Sequence, residues 1–407
     1  MSQSHPDSIS ACRLNNEFTY TPWITHSLPP AAHLSPMART RPGGWKLQNV
    51  ALRSLREHEL VVEVVASGVC QTDLHFGGLE SGHGVHYPRV MGHEGAGYVR
   101  EIGPGVTTAR VGDPVLMSFS SCQSCRCCRR GHPAHCEIFD PINFESTAEN
   151  RVFWAEKEEG STHGAEPDIF GQFFGQSTFA SRTVVQETAV VNVAGLVESR
   201  EQLQLLAPLG CGIQTGAGAV LHAANTQRED TVAVLGLGGV GLSAVMGARI
   251  AGCKTIIGIA RNKARLKLAL ELGATHVVRI DPDADISLVT DDVRALTGGL
   301  GVDVTLETTG VPELVAEGIR MTANKGRIVQ LGTAPENASL SLPIHEFMVA
   351  GKTYIGVVEG DVIPREFVPK MIEWVRTMDN FVHITADGKL AFLIIVVSYL
   401  RPGHDPN

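Results

Sequence analysis

The sequence predicts an α/β protein in two parts, a mostly β lobe followed by a parallel sheet with helices wound on both faces. Three observations predict it. At 407 residues the chain exceeds what one hydrophobic core ordinarily serves, so two domains are expected. Forty-three glycines fit an architecture with many tight strand-to-helix turns. After Cys211 short apolar strand patterns alternate with helical ones, as in βαβ units, whereas the chain before it is glycine-punctuated and β-like.

The elements follow in order. Residues 1–36 are rich in Pro, Ser and His and lack periodicity, so they are expected to be a disordered extension, with structure beginning near Arg39. Glu59 to Ala66 alternates polar and apolar residues as a strand does. Asn143 to Asp168 is polar and irregular and reads as a surface loop. Thr231 to Leu235 (TVAVL) is a buried-strand pattern, followed by glycines and a helical stretch from Val240 to Ala251. Thr255 to Ile259 is a second strand and Asn262 to Leu272 a charged helix. Further strands fit His276 to Ile280, Val302 to Leu306 and Arg327 to Leu331.

Composition narrows the function. A net charge of −9 argues against a nucleic-acid or anionic-membrane partner, since nothing neutralises phosphates in bulk. The start of the chain lacks a basic stretch and an apolar core of the secretory kind. The longest apolar run, around Leu390 to Leu400, is too short to span a bilayer. A cytoplasmic enzyme is the expectation.

Five of the nine cysteines crowd into residues 122–136. Cys122, Cys125, Cys128 and Cys136 give C-x2-C-x2-C-x7-C, and four thiolates at that spacing can close around one tetrahedral zinc, a structural site. An iron–sulfur cluster and a reduced, metal-free loop are the alternatives, and Cys127 can stand in for Cys128 as ligand.

Three other features are weak singly: GVCQTDLH at residues 68–75, Gly92-His93-Glu94, and Gly210-Cys211-Gly212. Together they carry more. The stretch from Gly92 to Val106 reads G-H-E-x2-G-x5-G-x2-V. With GVCQTDLH before it, the cysteine loop after it and LGCGIQTG leading into GLGGVG, the chain resembles the zinc-containing medium-chain alcohol dehydrogenases over roughly residues 42–378. The resemblance implies that Cys70, His93 and Cys211 hold a catalytic zinc, leaving a fourth position for a substrate oxygen, where the metal acts as a Lewis acid. It implies that Glu94 sits behind the zinc and that Asp73 orients a ligand through a hydrogen bond. It also implies a proton relay from Thr72 to His75, although a plain surface histidine is the competing reading of His75.

Gly236-Leu237-Gly238-Gly239-Val240-Gly241 gives G-x-G-x-x-G between a strand and a helix, the context in which glycines let a pyrophosphate approach a helix N-terminus. Gly236, Gly238, Gly239, Val240 and Gly241 are therefore expected to bind a dinucleotide. Thr215 matches a family position that packs on the nicotinamide. An acidic residue normally holds the ribose hydroxyls of NAD at the end of the second strand. Ala260 stands there instead, followed by Arg261 and Lys263. The missing carboxylate removes repulsion toward a 2′-phosphate, and Arg261 can grip one in a bidentate way. NADP(H) is favoured over NAD(H); a solvated helix start is the other reading of the two cations.

These readings combine into an expected organisation. A GroES-like, mostly β catalytic domain spans 37–212 and is completed by 357–407, and a Rossmann domain spans 213–356. Two zinc ions per chain and a nicotinamide cofactor serve hydride transfer to and from an alcohol or aldehyde. Gly351 to Gly360 resembles the family's interface edge strand, so a homodimer or homotetramer is expected. The segment FGQFFGQSTFA, residues 170–180, resembles aryl- and allylic-alcohol members, including fungal ones of secondary metabolism. Phe173 and Phe174 can line such a pocket or pack in the core. The alternatives are an NAD-linked polyol or other secondary-alcohol dehydrogenase, and an inactive zinc- and nucleotide-binding relative. The chain departs from the family at two ends: in residues 1–36, and after Val368-Pro369-Lys370. There no basic residue matches the one the family uses on the pyrophosphate, and the tail is expected to be an alternative or misread terminus.

Overall fold

The computed structural model of the protein describes residues 9–14, 44–79, 84, 86–145, 147–155, 167, 169–377 and 394–395. The chain divides into two compact units, one of residues 1–125, 136–210 and 393–407, the other of 126–135 and 211–392. The described residues 357–377 thus cluster with the second unit. Their helix Pro364–Thr377 buries Phe367, Val368, Met371 and Ile372, and Phe367 meets the ring of His222 edge-on.

Up to residue 210 the described strands of the first unit are, in sequence, β1 Ile9–Leu14, β2 Trp45–Leu52, β3 Glu59–Gly68, β4 Arg89–Val90, β5 Glu94–Ile102, β6 Pro114–Met117, β7 Arg151–Ala155, β8 Ile169–Phe170, β9 Arg182–Gln186 and β10 Val190–Asn192. β1, β2, β7, β8 and β4 close into a barrel, while β10, β6, β5 and β3 form an antiparallel sheet to which β9 adds through β3. β3 is buried along nearly its whole length. Its side chains alternate, as the two-residue period of a strand requires. Leu60, Val62 and Val64 enter one core with Val99, Val115 and Met117; Val61 enters the other with Val90, Val152 and Phe153. Each such valine contributes about 1.5–3 kcal/mol of burial, set against the entropy of ordering the chain.

Two expectations change here. Residues 9–14 fall within the expected extension, yet they pair antiparallel with β2 from Ile9↔Val50 to Leu14↔Trp45. Residues 1–8 and 15–36 lie outside the described residues. Likewise β7 falls inside the expected loop: Val152 and Phe153 are fully buried, and the strand pairs with β2 and β8. Both adjacent residues belong to the core, so the strand has no polar–apolar alternation to read.

The second unit is a parallel sheet of β11 Thr231–Leu235, β12 Thr255–Ala260, β13 His276–Arg279, β14 Val302–Glu307, β15 Thr322–Gln330 and β16 Thr353–Gly356. Their order is β13-β12-β11-β14-β15-β16, which reverses direction between β11 and β14, the crevice where open α/β sheets take ligands. Val232 and Val234 face one core with Ala244, Val245 and Ala248 of the helix Gly239–Ala251. Ala233 and Leu235 face another with Val289, Val293 and Leu314. A parallel sheet covered on both faces has to read as an unbroken apolar run, and TVAVL does. The helix Gly239–Ala251 stops at Gly252, whose φ of 81° lies in the left-handed region that favours glycine.

One strand of the first unit comes late in the chain. β17, Ile394–Ile395, pairs antiparallel with Ser67 and Gly68 of β3. The remainder of the tail after residue 377 lies outside the described residues. Among those described, no helix is long and apolar enough to cross a membrane.

Candidate active site

The site in the first unit is built around Asp73. Cys70 ends the extended chain leaving β3 and caps the helix Gln71–Phe76. The Asp73 carboxylate, fully buried, accepts from the backbone N–H of Cys70 at 3.0 Å, from that of Gly92 at 3.1 Å and pairs with His93 Nδ1 at 3.1 Å. One side chain thereby binds the Cys70 turn to the His93 turn. Gly92 has a φ of 95°, which the sharp entry to His93 needs and only glycine adopts freely.

Cys70, His93 and Glu94 present a thiol, an imidazole and a carboxylate within 4.8 Å of one another. His93 is 1% exposed, and its Nε2 is buried with no hydrogen-bond partner. Burial alone would push that imidazole down. The Asp73 carboxylate, its hydrogen bond and the Cys70 thiol together hold it well above its ordinary value. The surroundings of this ring therefore favour positive charge, which a cation on Nε2 would supply in place of the proton. Soft thiolate and imidazole donors suit zinc. Glu94 fits because residue 68 is glycine: a Cβ there would lie 1.9 Å from the Glu94 Oε2.

Cys211 opens the second unit as the N-cap of the helix Gly212–Gly218. Its neighbour Gly210 belongs to the first unit, where its carbonyl accepts from Ser118 Oγ at 2.7 Å. A Cβ on Gly210 would lie 1.9 Å from the Met117 carbonyl, so the chain passes there without a side chain. Thr72 is half-buried, and its Oγ1 lies 3.6 Å from Cys70 Sγ. His75 is exposed on the same short helix, three residues on from Thr72 and so on its face. Phe173 and Phe174 are 0% and 4% exposed. Phe174 stacks on the His93 ring at 4.4 Å and Phe173 meets it edge-on at 5.6 Å, so both act as packing around the histidine.

Of the cysteine loop, Cys122, Cys125 and Cys136 bring their sulfurs within 4.8 Å of one another. The N–H of Cys125 donates to Cys122 Sγ at 3.2 Å and that of Cys122 to Cys136 Sγ at 3.4 Å. Burial would raise the Cys122 thiol, but hydrogen bonds from Ser124, Cys125 and Cys136 lower it to about 6, the thiolate state in which sulfur binds metal. Cys128 stands in the short helix Arg126–Arg129, within the run that links Cys125 to Cys136.

In the second unit, Gly236 (φ 88°) turns the chain out of β11. A Cβ on Gly241 would lie 1.9 Å from the Gly236 carbonyl, whereas one on Gly238 would meet nothing within 4 Å. The turn is thus tight where the chain packs on itself and open at the N-cap of the helix Gly239–Ala251, as a pyrophosphate site requires. Thr308, which the sequence did not mark, donates to the carbonyls of Leu235 and Gly236 at 2.8 and 3.0 Å and fixes that turn from β14. Gly216 lies against Val240: a Cβ there would come within 2.1 Å of the Val240 carbonyl, which draws the half-buried Thr215 beside the glycines. Ala260 ends β12 next to the turn, where Gly236 N donates to Ile259 O at 2.9 Å. Arg261 and Lys263 are exposed. Between them Asn262 caps the next helix through the N–H groups of Ala264 and Arg265 at 2.8 and 3.3 Å.

The family model described as alcohol dehydrogenase GroES-like domain matches residues 56–195, and that described as zinc-binding dehydrogenase matches 239–377. A geraniol dehydrogenase of Castellaniella defragrans is 36% identical over 334 residues, covering 82% of this chain and 85% of its own length. A structure of an alcohol dehydrogenase zinc-binding domain protein from Burkholderia ambifaria is 34% identical with a TM-score of 0.76, covering 91% of this chain and 89% of its own. The benzyl alcohol dehydrogenase of Acinetobacter calcoaceticus is 34% identical with a TM-score of 0.72 and corresponding coverages of 82% and 86%.

Proposed function

Since the chain belongs to the zinc-dependent medium-chain alcohol dehydrogenases, we propose that it transfers hydride between NADP(H) and an aromatic or allylic alcohol or aldehyde. The catalytic zinc is held by Cys70, His93 and Cys211. A second zinc, structural, is held by Cys122, Cys125, Cys128 and Cys136. The observation that carries the proposal is the buried, partnerless Nε2 of His93 beside Cys70, with Asp73 fixing the other ring nitrogen. Zinc there supplies a Lewis acid toward the substrate oxygen, and the nicotinamide supplies or accepts the hydride.

The chain's own residues do the rest. Asp73 keeps His93 in the tautomer whose Nε2 donates a lone pair. Glu94 sets the field behind the metal. Thr72 exchanges a proton with the substrate hydroxyl and His75, at the exposed end of the same helix, passes it to solvent. Cys128 completes the four-thiol set because the run containing it begins and ends at sulfurs 4.0 Å apart. The NADP(H) preference is supported by Ala260, which offers no charge against a 2′-phosphate, and by Arg261 and Lys263, which hold no partner among the described residues. The substrate class is supported by relatives named for geraniol and benzyl alcohol. A homodimer is supported by β16, an edge strand among exposed apolar residues.

The test is zinc content per chain together with NADPH against NADH oxidation, using benzaldehyde and cinnamaldehyde. Two zincs per chain are expected. A charge-assisted contact of about 1.5–3 kcal/mol corresponds to an NADPH preference of about tenfold to a hundredfold in kcat/KM, which Arg261→Ala removes. One zinc overturns the two-site reading, an NADH preference overturns the cofactor reading, and turnover of polyols alone overturns the substrate class.

A further inference from the structure

The segment 172–177 has an unusual backbone. Gln172, Phe174 and Ser177 have φ of 56°, 55° and 64°, and Gly175 has 70°. Residues with side chains hold such values only where their surroundings enforce them, and they cluster at functional sites. The enforcement is visible. Gln172 Nε2 donates to the buried Glu59 Oε1 at 2.8 Å. Ser177 Oγ donates to the Val90 carbonyl at 2.6 Å while accepting from Phe173 N at 2.9 Å. Thr183 Oγ1 donates to the Gln176 carbonyl at 2.6 Å.

This contortion places the Gln176 side chain, which is fully buried. Its Nε2 donates to two backbone carbonyls, that of His93 at 2.7 Å and that of Ser118 at 2.7 Å. Ser118 in turn donates through Oγ to the carbonyl of Gly210, the residue before Cys211. Two residues earlier in the segment, Phe174 stacks on the His93 ring. The segment thus grips His93 by its ring face and its carbonyl, and the same amide group grips the strand end that anchors Gly210.

We propose that Gln176 is a positioning residue for the catalytic metal: its amide sets the spacing between the chain segment that bears His93 and the one that leads into Cys211. The proposal rests on the reading that His93 and Cys211 are ligands. The two N–H groups on this one amide nitrogen give each carbonyl a hydrogen of its own. Leucine fills a similar volume and donates nothing, and an ionised glutamate opposes both carbonyls with oxygen.

The test uses full-length Gln176→Leu, Gln176→Glu, Ser118→Ala and His93→Ala proteins. Two readouts are followed: the rate at which a chelator removes the catalytic metal, and the visible spectrum of cobalt substituted there. Gln176→Leu and Gln176→Glu are expected to lose the metal about 10- to 100-fold faster than wild type and to shift the cobalt band, with the metal of the cysteine loop retained. Ser118→Ala is expected to move both readouts the same way by less. A wild-type release rate and cobalt spectrum in Gln176→Leu, with His93→Ala having lost one metal, overturns the proposal and leaves the ligand reading standing. A full metal complement in His93→Ala overturns the ligand reading itself. Should the Gln176 variants fail to fold, Ser118→Ala decides, and unchanged release there overturns the proposal.

Discussion

Glu94 and Gly68 make a pair whose chemistry depends on one missing carbon. The Glu94 carboxylate occupies the space a side chain at 68 would need, and pairing of Gly68 with Glu94 across β3 and β5 keeps the two in register. Gly68→Ala is therefore expected to displace the carboxylate and lower kcat/KM about 10- to 100-fold, as removal of groups that support a metal site does. Steady-state kinetics alongside circular dichroism check it; unchanged turnover in a folded variant would show that the carboxylate's position does not matter. At this scale the sequence was readable where chemistry and spacing coincide. Cys70, Asp73, His93 and Glu94 stand in two short motifs, and the structure gathers them. Gln176 and Thr308 left no such trace. A glutamine inside FFGQSTFA, or a threonine after a strand, acquires a role only through partners 58 to 83 residues away in the first case and 72 to 73 in the second.

Among the elements, the junction of β9 and β10 is tied to the turn after β5 by Glu187. Its carboxylate accepts from the N–H groups of Thr107 and Thr108, from the Thr107 hydroxyl and from His58 Nδ1. Burial would raise this carboxyl, but those donors lower it from an ordinary 4.5 to about 2. A lowered folded-state value stabilises the fold above the ordinary value, and that stability is lost as pH falls from about 4.5 toward about 2. Glu187→Gln is expected to cost about 1–3 kcal/mol near neutral pH, with the difference from wild type vanishing at the acid end. Urea unfolding of both proteins across that range checks it, and a constant difference would remove Glu187 from the acid limb. Strands that read as buried apolar runs, such as β3, β11 and β12, were legible as elements. β1 and β7 were not, because a strand's stability comes largely from the neighbour it pairs with, here β2 for both, which no local pattern reveals.

For the molecule as a whole, the open edge of the parallel sheet is the feature with a consequence for assembly. β16 is mostly exposed, and near it in sequence Ile344, Met348, Val349 and Tyr354 are 80%, 67%, 69% and 41% exposed. Unpaired edges and apolar patches of this kind are ordinarily covered by a partner. Sedimentation is expected to give a dimer that Met348→Glu with Val349→Glu converts to monomers; a monomeric wild type would leave that edge without a partner of its own kind. The α/β class was legible at this scale because glycine content and strand–helix alternation are bulk properties of the chain. The pairing of β17 with β3 was not. That pairing also has a temporal side. Gly68 and Ile394 meet in one ladder, yet more than three hundred residues separate them. A ribosome making this protein emits the thiol of Cys70 long before the strand that joins its sheet at Gly68. Between the two come all the described strands of the parallel sheet, residues 231 to 356, which are free to pair while the edge of β3 is still open.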